Sequence, residues 1–245
     1  MRSKDLDIGE QAISQAAEAG IKSQMDEVES LDVELRTDPG KLARGEVDEV
    51  TVEGRGLVVQ NALRTEHLSL KANSVDIDMI KAALGDIKLE QPADASARVV
   101  LKAEDIQKAF NSDYVKQKLR GQKIDLPSGE RVTTDASNVS FTIPEAGQIA
   151  VEADVMLIEK VETHHVAFTA RPQLMEGGHV VTLEDIQYDE ATNDMPELTQ
   201  SLVDSTQDIL DLRSFELSGT TLQFDELMVE PGQLIIQAQA KIESF

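Results

Sequence analysis

The sequence predicts an α+β fold in which helices lie on a large, curved antiparallel sheet. Three observations predict it. The hydrophobic period changes from about 3.6 to 2 near residue 30 and alternates in that way through most of the chain. The alternating segments are joined by Pro/Gly-containing turns of hairpin type rather than by helical crossovers, which excludes a parallel βαβ plan. No Pro-, Ser- or Gly-rich linker divides the chain, so residues 1–245 read as one continuous domain.

In chain order, "LDIGEQAISQAAEAGIKSQMDEV" places Leu6, Ile13, Ala17, Ile21 and Met25 near one helical face, beside the small residues Ala12, Ala16 and Gly20. Leu31, Val33 and Leu35 then alternate with Asp32, Glu34 and Arg36, and Val50/Val52, Leu57/Val59 and Leu68/Leu70 continue the alternation, as antiparallel strands with one wet face do. A second helical pattern, "AEDIQKAFNSDYVKQKLRG", carries Ile106, Phe110, Tyr114 and Leu119; "NSD" at 111–113 supplies a break or a second N-cap, and Gly121 a stop. "NVSFTIPEAGQIAVEADVML" predicts a hairpin turning at 144–147, and "VAFTARPQLMEGGHVVTLEDIQY" another with a two-residue turn at Gly177-Gly178. A third helix, "MPELTQSLVDSTQDILDL", aligns Met195, Leu198, Leu202, Ile209 and Leu212 before the closing strands. The segments "SFTIPEAGQIAVEADV" and "LMVEPGQLIIQAQAKI" form a weak internal repeat: an alternating arm, a turn with Gly and Gln, and a second arm.

Composition removes several function classes. There is no cysteine, hence no disulfide, thiolate nucleophile or thiolate metal site. Aromatics make up 3% and Trp is absent, so base-stacking platforms lack their material, and a net charge of −23 offers no basic footprint for a polyanion; nucleic acid is not an expected partner. The charge is uneven. Residues 176–245 hold 15 acidic side chains against Arg213 and Lys241, whereas residues 98–123 hold seven basic side chains against three acidic ones. No run approaches the ~18 apolar residues of a spanning helix, and "MRSKDLDIGEQ" lacks the apolar region of a signal peptide, so a soluble chain is expected.

The best phosphate-site candidate is "TDPGKLARGEV". A P-loop needs Gly-x4-Gly-Lys-Ser/Thr ahead of a helix; here Gly40 and Gly45 have the gap, but Glu46-Val47 stand where Lys-Ser should be and a strand follows. It reads better as a strand connector with Lys41 and Arg44 at an exposed tip. "GRGLVV" lacks the third glycine of a dinucleotide fingerprint and lies within a strand, where glycine marks a bulge or a close approach. His164 and His165 are adjacent on a strand and point to opposite faces, which suits one inward and one outward ring rather than a shared metal. Acidic pairs are what so acidic a chain produces by chance, and no Gly-x-Ser-x-Gly elbow or His-Glu-x-x-His helix occurs. No catalytic residue, metal ligand or cofactor is expected. What remains is apolar surface, and two readings stand: helices and sheet fill each other's faces, or they leave an apolar groove for a lipid tail.

Three stretches carry a resemblance. The "D-P-x-K-L-x-x-G" element at 38–45, the "L-G-x-I-x-L-x-x-P" element at 84–92 and the Phe215-x-Leu-x-Gly219 strand, with the sequence around them, resemble the LmeA-like phospholipid-binding family over nearly the whole chain, closest to its cyanobacterial-type branch. The resemblance implies a fold like the tubular lipid-binding proteins, a highly curved antiparallel sheet wrapping around long helices, and phospholipid binding without catalysis. It transfers no catalytic residues. Actinobacterial members are exported, often with a leader or anchor, and this chain shows neither, so the expected place is cytoplasmic, peripheral to an inner or photosynthetic membrane.

The functional expectation is therefore a non-catalytic protein that binds phospholipid or glycolipid peripherally at a membrane. Acyl chains would lie against Ile13, Ile21, Val33, Leu35, Phe110, Phe141, Ile143, Phe168, Leu198 and Leu202. Head groups would meet Lys116 and Arg120, one helical turn apart, with Lys41 and Arg44 as a second cationic edge; the other reading of Lys116 and Arg120 is a favourable interaction with a helix C-terminus, worth ~0.3–1 kcal/mol. The rival from another class is an assembly scaffold that binds protein partners through strand edges and holds no lipid.

Overall fold

The computed structural model describes residues 8–78, 89–175, 177–188, 195–206 and 220–242. Among these, eleven strands form two sheets in which every pairing is antiparallel. The first sheet holds β1 (Glu27–Arg36), β2 (Glu46–Val59), β3 (Leu63–Asp76), β4 (Ala93–Lys102), β10 (Thr220–Glu230) and β11 (Gln233–Ile242), in the order β1-β2-β3-β4-β11-β10. The second holds β5 (Gln122–Asp125), β6 (Arg131–Glu145), β7 (Gln148–Leu157), β8 (Glu162–Leu174) and β9 (Val181–Tyr188), in sequence order.

Register explains the alternation. Leu31, Gly54, Leu68, Val99, Ile236 and Leu227 form one row across the first sheet, and Val33, Val52, Leu70, Ala97, Ala238 and Phe224 form the next on the same face. Between them runs the row Asp32, Glu53, Ser69, Arg98 and Gln237, on the opposite, wet face. The sheet curls into a half-barrel, with α1 (Ile8–Lys22) laid on its β1 side. Gly56 sits at φ +57 and turns the strand so that Leu57 is buried, its side chain within 2.7 Å of where a Cβ on Gly54 would stand. This is the close approach that "GRGLVV" suggested.

The helices are short, which corrects the expectation of a sheet wrapped around long ones. Among the described residues, besides α1 they are α2 (Pro39–Leu42), α3 (Ala103–Phe110), α4 (Asp113–Leu119) and α5 (Pro196–Thr206), and the longest described has 15 residues. The physical reason is visible at "NSD": the Ser112 hydroxyl accepts from the Val115 N–H and starts a new helix, so one helical pattern becomes two. Gly121, at φ +73, ends the second. Apolar side chains gather in three clusters: beneath α1, on the inner face of the second sheet under α5, and at the junction of the sheets.

The internal repeat corresponds to two hairpins, β6–β7 and β10–β11, with Gly147 and Gly232 both at φ +80 in the turns. They lie in different sheets and meet: the Gly147 N–H donates to the Val229 carbonyl at 2.8 Å. The β8–β9 connection is longer than the expected two-residue turn, because Gly178 reaches out to β10, where the Phe224 N–H donates to its carbonyl at 2.9 Å.

Candidate apolar cavity

A cavity of about 210 Å³ opens where the two sheets meet, lined by Ile106, Phe110, Phe141, Ile149, Pro172, Leu174, Val181, Leu183, Phe224, Glu226, Leu227, Leu234 and Ile236. Every wall residue but Glu226 is apolar, and these side chains come from α3 and from strands of both sheets.

Helix α3 is fixed over the cavity by polar contacts at its rim. The Ala103 N–H donates to the Gly232 carbonyl at 2.9 Å, which ties the helix start to the β10–β11 turn. Asp105 is 2% exposed and accepts from Arg64 of β3 at 3.1 Å and from Lys108 at 3.0 Å. On the other side the Phe141 N–H donates to Gln107 Oε1 at 3.3 Å, and the Asn111 amide exchanges hydrogen bonds of 3.1 and 2.6 Å with the Val139 backbone. These bonds orient α3 so that Ile106 and Phe110 face inward, with the Phe110 and Phe141 ring centroids 6.1 Å apart in a tilted pair. Arg64 also pairs with Glu66 and Glu29, both at 2.6 Å, and with Lys102 the Arg64 guanidinium holds the Glu66 carboxyl below its usual range, Arg64 being the larger cause.

Of the apolar residues expected from the sequence, Phe110 and Phe141 stand in the cavity wall, and Ile143 and Phe168 pack in the junction cluster around it. Ile13, Ile21, Val33 and Leu35 lie instead in the cluster beneath α1, and Leu198 and Leu202 in the cluster under α5. The structure therefore distributes the ten over three clusters. Wall residues that sequence reasoning passed over include Ile149, Leu227, Leu234 and Ile236. The signal was the internal repeat: with Phe141 they all lie on its two hairpins, flanking the equivalent turns.

The cations lie away from the cavity. Lys41 pairs with Asp48 at 2.6 Å, which raises its pKa, and Arg44 makes a two-pronged contact with Glu46 at 2.8 and 3.1 Å, which lowers that of Glu46. Arg120 pairs with Asp135 at 3.1 Å, while Lys116 is exposed and in no ion pair with a described residue. In "TDPGKLARGEV" the Asp38 carboxylate accepts from the N–H groups of Gly40 and Lys41, so a side chain occupies the place where an anion would bind. His164 faces inward opposite Val155, and His165 faces outward beside Asp154 at 3.1 Å. Asn138 and then His165 hold the Asp154 carboxyl low. Among the described residues no three His, Cys, Asp or Glu side chains group as metal ligands, and no helix is long and apolar enough to cross a membrane.

The model of the LmeA-like phospholipid-binding family matches residues 6–239. No curated protein and no solved structure matches the chain significantly.

Proposed function

The chain belongs to the LmeA-like phospholipid-binding family, and from that premise we propose that it is a non-catalytic carrier of phospholipid or glycolipid, acting peripherally at the cell-side face of a membrane. The observation that carries this reading is the apolar wall at the junction of the two sheets, where aliphatic and Phe side chains enclose about 210 Å³. That is below the roughly 300–1,000 Å³ of sites for whole drug-sized ligands. The cavity accordingly takes the end of an acyl chain, and the rest of the lipid follows the half-buried apolar rows of the first sheet, through Ile236, Val99 and Leu68. Phe110 and Phe141 contact the chain directly in this reading, with Ile143 and Phe168 supporting them.

Mass spectrometry of organic extracts tests it. Protein purified from several expression hosts should yield near-stoichiometric phospholipid or glycolipid; clean extracts from all of them would overturn the reading.

A further inference from the structure

We propose that the turn between β7 and β8, residues 158–161, is the tip by which the protein docks on an anionic bilayer, with Ile158 and Val161 entering the lipid and Lys116, Lys118 and Lys123 meeting its phosphates. The proposal rests on the lipid-handling reading above, but it concerns a surface at the other end of the second sheet.

The first observation is a backbone one. Val161 has φ +56 and is 83% exposed. A β-branched residue in the left-handed region is strained, and hairpin turns place glycine there. This chain does so in its two-residue hairpin turns, with Gly147 and Gly232, and its β2–β3 turn uses the unbranched polar residues Gln60 and Asn61. At the β7–β8 turn it instead retains a strained valine whose side chain reaches into water, and strain of this kind persists where the side chain serves a purpose. Ile158, at the other end of the same turn, is 42% exposed, and Met156 two residues before it is exposed as well. Three of the large exposed apolar residues thus fall within six positions.

The second observation is the charge around them. The Ile158 N–H donates to the Thr133 carbonyl, and Gly121, just past α4, donates to that of Thr134, so the basic stretch from α4 into β5 lies at the same end of the sheet. Of the nearby carboxylates, Glu130 pairs with Lys160 and Asp135 with Arg120, Glu159 accepts from the Thr133 N–H and hydroxyl and also feels the charge of Lys123, and Glu162 lies 3.5 Å from His164. Lys116, Lys118 and Lys123 are exposed and in no ion pair with a described residue; Lys118 lies over the exposed Tyr114 ring at 5.8 Å. In a chain of net charge −23 this end joins exposed apolar side chains to the exposed Lys116 and Lys118, which matches an anionic phospholipid surface.

The tip is an anchor and not the cavity mouth. Ile149 in the cavity wall and Leu157 at the turn are eight positions apart on β7, roughly 26 Å at about 3.3 Å per residue. Docking and cavity binding should therefore separate. The test is cosedimentation with phosphatidylcholine vesicles containing phosphatidylglycerol, alongside calorimetric binding of soluble dihexanoylphosphatidylcholine as the cavity probe. Ile158→Asp with Val161→Asp should weaken vesicle binding by at least about tenfold, the scale expected for two buried aliphatic side chains, and leave the soluble probe's affinity unchanged. Val161→Gly removes the strain and should raise the melting temperature while weakening docking, a pair of opposite shifts that a purely structural turn would not produce. Wild-type protein that ignores the vesicles, or either variant docking like wild type, overturns the proposal. Loss of the soluble probe with vesicle docking intact would count against the cavity and leave the tip standing.

Discussion

The carbonyl of Gly178, in the β8–β9 connection, accepts a hydrogen bond of 2.9 Å from the backbone N–H of Phe224 on β10, and a Cβ on Gly178 would collide with the Phe224 carbonyl oxygen. Phe224 is a cavity wall residue, so this contact between backbones sets the width of the junction. Gly178 has φ +67, which compounds the demand for glycine. Gly178→Ala should cost about 2–3 kcal/mol in a urea titration, from strain plus displaced backbone. It should also release lipid, since the wall moves. Unchanged stability would mean that the junction yields more easily than its geometry implies.

Asp105 is the buried electrostatic peg of the cavity roof, 2% exposed between Arg64 and Lys108. Removing its charge leaves Arg64 with only Glu29 and Glu66 and unties α3 from β3. Asp105→Ala is expected to destabilise by about 2–4 kcal/mol, at the lower side of the range for buried pairs because Arg64 is partly solvated. Asp105→Asn, which keeps the shape and one acceptor, should recover part of the loss; equal losses in the two variants would assign the effect to packing instead.

The individual elements were legible in the sequence because their causes are local. Leu31, Val33 and Leu35 alternate and are buried; "NSD" splits the helical pattern because Ser112 can cap; "TDPGKLARGEV" connects two antiparallel strands, β1 and β2. Helix length was not legible from the family resemblance, since it is decided by such breaks. Nor was the cavity. It needs Ile106, Phe141, Leu183 and Phe224 together, and nothing in any one segment distinguishes a residue that lines a gap from one that fills a core, as Val33 and Leu198 do. The β8–β9 turn was misjudged for the same reason: Gly177-Gly178 looks like a hairpin signal, but Gly178 is needed for a partner 46 positions away in the chain. Leu6, Ile209, Leu212, most of the 84–92 element and the Phe215–Gly219 strand lie outside the described residues.

Acid should unfold the protein in a defined window. Glu46, Glu49, Glu66, Asp125, Asp154 and Glu159 are all held below their usual range, through Arg44, Lys71, Arg64, Arg131, Asn138 and Thr133 respectively as the leading causes. A depressed folded-state pKa contributes stability that is complete above the unfolded value, about 4, and is lost as pH falls through the lower folded value. Below the sequence pI of about 4.4 the chain also turns positive, so repulsion among its 23 Lys and Arg adds to the loss. Urea midpoints should stay nearly level from about pH 7 to 5 and fall steeply below about pH 4. A midpoint at about pH 3 equal to that at neutrality would refute the assignment of these pairs as stabilising.

Core and cavity should respond to substitution in opposite ways. Leu35 beneath α1 and Leu198 on the inward face of α5 are 1% and 0% exposed in packed clusters, with no cavity contact. Leu→Ala at either should cost about 3 kcal/mol, transfer plus residual cavity, while the surviving folded protein keeps its bound lipid. Ile236 and Leu227 are half-buried neighbours in register on the cavity wall. Ile236→Trp or Leu227→Trp fills existing space, so it should change stability by less than about 1.5 kcal/mol and sharply reduce the lipid recovered per protein. Paired measurement of urea midpoint and extracted lipid separates the two groups. If Leu198→Ala empties the protein of lipid as Ile236→Trp does, the acyl chain reaches the second sheet's core, and the binding site extends along both sheets.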